Sequence, residues 1–305
     1  MIAPIFMSLR PKQWTKNLFV FAALLFSEKG LIFSVEAWLY AIAGFFTFCG
    51  LSGCVYLLND IIDLPKDRIH PVKRNRPIPS GQVSVKEAKC ALIVILILSL
   101  FASWKLSVLF FGIALTYFMM NLAYSFKLKQ VVILDVMCIA FGFCLRATAG
   151  VGALKSLDPE IYISHWLVLA TFMLAMFLGL AKRRQEIINY DNATEQRKIL
   201  EDYSPDYIDQ MTSILATIAI ITYTFYTVSP DTVAKFHGNQ LVYTVPIVLY
   251  GILRYLYLIH IQDQGESPSD VVLKDRPLQI CGVVWVIAVV VAIHFDKIFA
   301  ILFLN

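Results

Sequence analysis

Long apolar runs separated by short charged stretches dominate the chain. An α-helix needs about 20 apolar residues to cross a bilayer, and nine segments approach that length. The first is interrupted by polar residues at 27–30, and the third is short. The nine predicted spans are 17–36, 37–61, 88–104, 107–125, 132–151, 162–180, 211–229, 240–260 and 279–303. The pattern therefore predicts an all-α, polytopic membrane protein with nine transmembrane helices.

The basic residues of the predicted loops are distributed unevenly. Loops at 1–16, 62–89, 122–131, 181–208 and 261–278 carry 19 of the 26 Lys and Arg residues, and the loops on the opposite side carry four. Cytoplasmic loops of membrane proteins are enriched in Lys and Arg. We therefore expect a protein of the inner (plasma) membrane with a cytoplasmic N-terminus, an external C-terminus and its functional loops in the cytoplasm.

Composition agrees with a membrane protein and excludes an ordinary soluble domain. The 305 residues are 58% hydrophobic and 16% charged, with a mean hydropathy of +0.69. Six cysteines lie in or beside apolar runs without paired spacing, which favours packing roles over disulfides or zinc. The first residues lack the apolar core of a signal peptide, so none is expected. No nucleic-acid partner is expected, and a homo-oligomer is left open.

The two longest charged loops follow the second and the sixth spans. Four helices separate these loops, which is typical of an internal repeat with functional loops at matching positions. We expect one domain over 1–305, made of two four-helix units at about 17–125 and 132–260 and a ninth helix at 279–303.

Candidate chemistry begins at the end of the second span, in the stretch YLLNDIIDLPKDRIHPVKRNRPIPSG at 56–81. Asn59, Asp63 and Asp67 are spaced i, i+4, i+8, so on a helix they share one face. Mg²⁺ is held by one or two such carboxylates together with waters and substrate phosphates. Pro65 removes a helical hydrogen bond and is expected to kink or end this helix.

Three bases follow the acidic residues directly. Lys73, Arg74 and Arg76 lie on a stretch of loop that prolines stiffen, and such side chains bind phosphate groups. The alternative explanation is an ordinary charged helix end on the cytoplasmic side. That explanation accounts for some of the bases but not for their clustering beside carboxylates, so a magnesium–phosphate site is favoured.

Single polar residues elsewhere add candidates. Arg146 lies within the fifth predicted span, where a buried arginine needs an anionic partner, either a substrate or an acid of the protein. Tyr56 and Tyr124 either donate to phosphate or belong to the interfacial aromatic belt. Lys16 follows Trp14 in a segment that is either an amphipathic anchor or part of a substrate site.

The pattern NDxxDxxxD followed by HPxKRxRPIxSG resembles the first aspartate-rich motif of the UbiA superfamily of intramembrane prenyltransferases. The resemblance covers nearly the whole chain and includes YSFKLK after the fourth span. It implies a UbiA-like helical bundle with cytoplasmic active-site loops. It also implies Mg²⁺ and a diphosphate at Asn59, Asp63 and Asp67.

The loop after the sixth span indicates which branch of this family the chain resembles. Most family members carry a second aspartate-rich motif there, whereas this chain has AKRRQEI, with Lys182, Arg183 and Glu186. Bases cannot hold a second magnesium, but they can hold a phosphate. This segment, together with LRPKQWTKN near the start and LRATAG in the fifth span, resembles the decaprenyl-phosphate phosphoribosyltransferase branch.

The resemblance implies transfer of 5-phosphoribosyl from phosphoribosyl pyrophosphate to a polyprenyl phosphate, with release of pyrophosphate. In that branch the product leads to arabinose donors for cell-wall polymers. Two anionic substrates repel each other at short range, so one metal and many bases are needed. Arg146 joins the three metal ligands as a catalytic residue. The implied substrate-binding residues are Lys16, Tyr56, Lys73, Arg74, Arg76, Tyr124, Lys127, Lys129, Lys182, Arg183 and Glu186.

Two other functions were weighed against this one. An aromatic polyprenyltransferase of the 4-hydroxybenzoate or quinone type would place a prenyl diphosphate on the same metal, but it leaves the missing second acidic motif unexplained. A transporter or channel would line a pathway through the membrane with charged residues. The ionisable residues here concentrate at one membrane face instead.

Overall fold

The structure is a computed structural model, which describes residues 2–189, 198–261 and 268–303. This part of the chain contains helices and no β-strand. Short 3-10 helices at Pro11–Phe21, Leu31–Phe33, Lys73–Asn75, Leu128–Gln130, Lys198–Asp202 and Gln240–Thr244 lie between the α-helices. The α-helices are α1 (Ile2–Ser8), α2 (Ala22–Leu25), α3 (Val35–Ile62), α4 (Leu64–Ile69), α5 (Val85–Leu106), α6 (Val108–Phe126), α7 (Leu134–Leu154), α8 (His165–Asn189), α9 (Pro205–Val228), α10 (Pro230–Lys235), α11 (Val245–Ile261), α12 (Pro268–Lys274) and α13 (Arg276–Phe303).

Seven of the described helices are long and apolar enough to cross a membrane. They are Val35–Ile62, Val108–Phe126, Leu134–Leu154, His165–Ile188, Pro205–Val228, Gln240–Ile261 and Arg276–Phe295. The protein is therefore a multi-pass, all-α membrane protein, as predicted, but the count of nine spans is not confirmed.

The two predicted spans missing from this set are 17–36 and 88–104. The first is not one α-helix, because a 3-10 helix (Pro11–Phe21) leads into the four residues of α2 and a turn follows. The second corresponds to α5, whose 22 residues reach spanning length but begin with charged side chains.

Serine side chains fix where four of the long helices begin. Ser34, Ser84, Ser107 and Ser204 each accept a hydrogen bond from a backbone N–H in the first turn of the following helix. Ser84 forms a reciprocal capping box with Glu87. Such caps satisfy backbone donors that have no partner inside the helix.

Glycines allow the N-terminal 3-10 helix (Pro11–Phe21) to lie directly on α7. A Cβ atom at Gly150 would lie 2.1 Å from the carbonyl oxygen of Val20, and one at Gly152 would lie 2.9 Å from the backbone of Phe110 on α6. Small residues permit such close approach between membrane helices. Asn17, a polar residue of the 3-10 helix, is thereby buried in the bundle formed by α3, α6 and α7.

Candidate active site

The first acidic motif is divided between two helices. α3 ends at Ile62, Asp63 adopts φ −87° and ψ 5°, and Pro65 lies in the first turn of α4. The backbone N–H of Asp67 still donates to the carbonyl of Asp63 at 2.9 Å. The helix breaks at Asp63, just before Pro65, as the proline predicts. Asn59 and Asp67 therefore do not share the continuous helical face that their spacing predicts.

A buried network of acids and bases occupies the end of α3. The Asp60 carboxylate accepts from Arg10 and, at 3.1 Å, from Arg76. The Asp67 carboxylate lies 3.3 Å from the same Arg76 and 3.8 Å from Lys73. Both Asp side chains are almost fully buried, with exposures of 2% and 4%. Loop 73–76 is therefore tied to α3 and α4 by charge.

Arg10 and Asp60 are members of this network to which sequence reasoning gave no role. Arg10 adopts a left-handed backbone conformation with φ 55°, and its guanidinium lies 4.6 Å from the centre of the Tyr56 ring. Burial and the neighbouring Arg10 charge lower the pKa of Arg76, while Asp60 and Asp67 oppose that shift. The position of Arg10 in the LRPKQWTKN stretch was the available signal.

Asp63 faces a different base from the one that holds Asp67. The Lys129 ammonium donates to both carboxylate oxygens of Asp63, at 2.9 and 3.0 Å. Lys129 belongs to the 3-10 helix that follows α6. The YSFKLK stretch therefore meets the first acidic motif, whereas the side chains of Lys127 and Arg74 are exposed.

The donor set of this region fits magnesium. Within the described residues, no three His, Cys, Asp or Glu side chains are arranged to hold a metal ion. Asp63 and Asp67 instead neutralise bases. Two carboxylates and the amide oxygen of Asn59 nevertheless supply the hard ligands that Mg²⁺ takes, with waters and phosphate oxygens completing its shell. The bases would then be available to the phosphate.

A second polar cluster surrounds Arg146, which is 6% exposed. Its Nε donates to Asn17 at 2.8 Å and its Nη2 donates to the Tyr117 hydroxyl at 2.7 Å. The Asn17 amide nitrogen donates in turn to Ser52 at 3.2 Å and to Cys49 at 3.3 Å. In the described chain, no carboxylate forms a salt bridge with Arg146, so the acid partner weighed as its alternative role is not found there.

Lys16 adds a second charge beside Arg146. Its side chain is half-buried and makes no hydrogen bond or ion pair with the described residues. Burial, together with the charges of Arg146 and Arg10, lowers the pKa of Lys16 from 10.5 to about 8, while exposed Asp270 opposes this shift. We call Lys16, Asn17, Tyr117 and Arg146 the Arg146 cluster.

Arg183, which was predicted to bind substrate, lies in the protein interior. Its side chain is 2% exposed and donates to Asp135 at 2.9 Å and to Glu186 at 2.6 Å. A buried arginine held by two carboxylates has little capacity left for a substrate. Lys182, with 40% side-chain exposure and Glu186 at 3.8 Å, is the more accessible base of this segment.

A strained turn before α7 positions the partner of Arg183. Ile133 has φ 69°, a conformation that is unfavourable for a β-branched residue. Its backbone N–H donates to the Tyr203 hydroxyl at 2.7 Å, and that hydroxyl donates to Asp135 at 3.0 Å. Tyr124 interacts electrostatically with Arg183 from the end of α6. The expectation of a loop from residue 181 is wrong, because α8 continues to Asn189 and carries Lys182, Arg183 and Glu186. These residues form a third group, whose contacts are separate from those of the Arg146 cluster.

Comparison with known proteins places this architecture among relatives of similar length. The UbiA prenyltransferase family matches residues 17–272. The chain is 30% identical to a decaprenyl-phosphate phosphoribosyltransferase of Corynebacterium glutamicum, with 96% of this chain and 87% of that protein covered. It is also 30% identical to the protein of that name from Mycolicibacterium smegmatis, with 97% and 94% covered.

Solved structures agree on the fold. A UbiA homolog from Archaeoglobus fulgidus bound to GPP and Mg²⁺ superposes with a TM-score of 0.72 at 19% identity, covering 95% of this chain and 99% of that one. A digeranylgeranylglyceryl phosphate synthase structure gives a TM-score of 0.67 at 20% identity, covering 96% and 98%. The helical architecture and the family match agree, and the chain belongs to the UbiA prenyltransferase family.

Proposed function

We propose that this membrane enzyme transfers the 5-phosphoribosyl group of phosphoribosyl pyrophosphate to a polyprenyl phosphate and releases pyrophosphate. The names of relatives that match almost the whole chain support this reaction. The observation that carries the proposal is the Arg146 cluster, which holds a buried arginine and a lysine that forms no salt bridge with the described residues. A reaction between two phosphate-bearing substrates needs such a surplus of positive charge.

The acidic motif would hold the diphosphate end of the sugar donor. Asn59, Asp63 and Asp67 are the ligands proposed for Mg²⁺, which when bound would neutralise the charge of the pyrophosphate leaving group. Lys129 and Arg76 lie against these acids in the ligand-free protein. Their charges would then serve the phosphate oxygens.

Chemically, the reaction exchanges one bond at C1 of the ribose. The bond from C1 to the pyrophosphate oxygen breaks, pyrophosphate departs with the electron pair, and a phosphate oxygen of the lipid forms the new bond to C1. A phosphate monoester is already anionic at neutral pH, so no general base is required. The protein contributes positioning and charge: Arg146 and Lys16 hold phosphate, and Arg76 and Lys129 stabilise the charge that develops on the leaving group.

Lys182 supplies a further accessible base near the C-terminal end of α8, with Glu186 as its neighbour. We propose that the loops bearing the site face the cytoplasm, because the Lys and Arg residues concentrate on that side. The polyprenyl tail would lie between helices in the bilayer, whose apolar interior matches it.

Radiolabel transfer in detergent or nanodiscs tests the reaction. The purified protein would receive phosphoribosyl pyrophosphate labelled in the ribose, Mg²⁺ and a polyprenyl phosphate, and the lipid-extractable label would be counted. We expect label in the lipid phase. No label there, with product formed from a prenyl diphosphate and 4-hydroxybenzoate, would overturn the proposal in favour of aromatic prenyl transfer.

A pair of acid variants tests the metal ligands. Asp63→Asn should abolish label transfer at all practical Mg²⁺ concentrations, because it removes a carboxylate from the proposed ligand set. Asp206→Asn, at an exposed acid in the first turn of α9, is the matched control and should retain wild-type activity. Equal activities of the two variants would remove Asp63 from the metal site.

A further inference from the structure

The side chains around Arg146 leave one of its nitrogen atoms available. Nε and Nη2 are occupied by Asn17 and Tyr117, and no hydrogen bond from the described residues reaches Nη1. Nη1 lies beside Gly142, where a Cβ atom would stand only 3.2 Å from it. The guanidinium is thus held in a fixed orientation by two neutral groups and presents an unused donor.

No salt bridge within the described part of the chain balances the charge of this cluster, and exposed Asp270 attracts Lys16 only at longer range. Arg146 is buried, Lys16 is half-buried, and neither forms a salt bridge among the described residues. Burying an unpaired charge is unfavourable, so such a charge is typically retained where an anionic ligand binds. Asp60, Asp63 and Asp67 could have supplied that anion, but each of them holds other bases.

Two aromatic rings pack against the Arg146 guanidinium. Its central carbon lies 4.8 Å from the centre of the Tyr117 ring and 5.3 Å from that of Phe143. These faces exclude water on that side and strengthen charge interactions on the other. Nη1, which has no hydrogen bond to the described residues, is therefore the nitrogen at which a ligand would bind.

We propose that the Arg146 cluster is a binding site for one phosphate monoester, distinct from the metal-dependent diphosphate site. Lys16 and Arg146 bind the phosphate, and Asn17 and Tyr117 are positioning residues that orient the guanidinium. A monoester carries a charge between −1.5 and −2 at neutral pH, which matches one lysine and one arginine. A carboxylate would leave part of that positive charge unbalanced.

This assignment rests on the proposed function for its candidate ligands. Both substrates of that reaction carry a phosphate monoester, namely the 5-phosphate of the sugar donor and the phosphate of the lipid acceptor. The same chemistry would recognise either one, so the test separates the two sources.

Thermal unfolding of the full-length protein without Mg²⁺ isolates this site from the diphosphate site. The probes are ribose 5-phosphate for the sugar, farnesyl phosphate for the lipid, and 4-hydroxybenzoate as a single carboxylate. We expect at least one of the two monoesters to raise the melting temperature and 4-hydroxybenzoate to leave it unchanged. A shift with ribose 5-phosphate assigns the sugar, one with farnesyl phosphate assigns the lipid, and both together assign a site that recognises the phosphate alone.

Lys16→Met is the decisive variant, because Lys16 makes no described contact that its removal would break. It should abolish the shift, and it should raise the KM of the assigned substrate at least about 10-fold, as expected when a charged hydrogen bond is lost. Its ligand-free melting temperature should not fall, because repulsion from Arg146 and Arg10 is relieved. If Lys16 were purely structural, Lys16→Met would lower the ligand-free melting temperature and keep the monoester shift.

Lys12→Gln is the matched control, at an exposed lysine of the same 3-10 helix, and should keep the wild-type shift. No monoester shift in the wild type, an equal shift in Lys16→Met, or an equal shift with 4-hydroxybenzoate would overturn the site. Failure of label transfer with a Lys16-dependent shift intact would reject the reaction and leave the site standing. Label transfer whose KM is unchanged in Lys16→Met would support the reaction and overturn the site.

Discussion

The pair of Arg183 and Asp135 gives the sharpest prediction about stability. Their atoms lie 2.9 Å apart, and the two side chains are 2% and 0% exposed. Removing one partner of a buried pair leaves an uncompensated charge and costs about 3 to 5 kcal/mol. Arg183→Met should lower the free energy of unfolding by roughly that amount, and Asp135→Asn should lower it by less, because Glu186 still pairs with Arg183.

Removing both partners together should be less damaging than the single losses imply. The double variant leaves no buried charge at this position, so it should recover about 2 kcal/mol relative to additivity, within the range found for contacting residues. Equilibrium unfolding in mixed micelles, followed by circular dichroism, measures the free energy of unfolding of the wild type, the two single variants and the double variant.

Lys182→Ala serves as the comparison from the same turn. Its side chain is 40% exposed, so we expect no measurable loss of stability and a raised KM for one phosphate substrate. Arg183→Met, assayed at a temperature where it stays folded, should keep its KM values within a few-fold of wild type. Single losses below about 1 kcal/mol without coupling, the size of an exposed pair, would refute the interior role of Arg183.

Four further outcomes are expected. Gly150→Ala should impair label transfer and stability, because its Cβ would lie 2.1 Å from the carbonyl of Val20, whereas Gly112→Ala meets open space and should be silent in both assays. Binding of phosphate monoesters should weaken above about pH 8, where Lys16 loses its charge, and Lys16→Met should lack this step. Since the folded protein gives up that proton more readily than the unfolded chain, the free energy of unfolding should rise between about pH 8 and 10.5 in the wild type alone. Chelation of Mg²⁺ should stop label transfer without removing the monoester-induced thermal shift.

Local patterns predicted much of this fold. Apolar run lengths predicted the long spans, and Pro65 predicted the break in the acidic motif, because both effects depend on neighbouring residues alone. Hydrophobic periodicity did not distinguish a 3-10 helix from an α-helix at Pro11–Phe21, since an apolar run is compatible with either. The predicted span at 17–36, which begins in this 3-10 helix, is therefore absent from the seven long apolar helices of the described chain.

The partners of the charged residues could not be predicted in the same way. Asn17 meets Arg146 across 129 positions of sequence, and Arg183 meets Asp135 across 48. Sequence reasoning identified Arg146 as a residue that needs an anion, but it left open whether a carboxylate of the protein would supply one. Only the packing of α7 against its neighbours shows neutral partners there.

The 3-10 winding of Pro11–Phe21 has a consequence for the register of the site. Asn17 and Val20, three residues apart, contact Arg146 and Gly150, four residues apart on α7. Three residues of a 3-10 helix rise about 6 Å, as do four residues of an α-helix. The rise between the two contacts is therefore equal on both segments. A single-residue insertion on either one would separate the Asn17–Arg146 hydrogen bond from the close approach of Val20 to Gly150. Insertions here should be far less tolerated than substitutions.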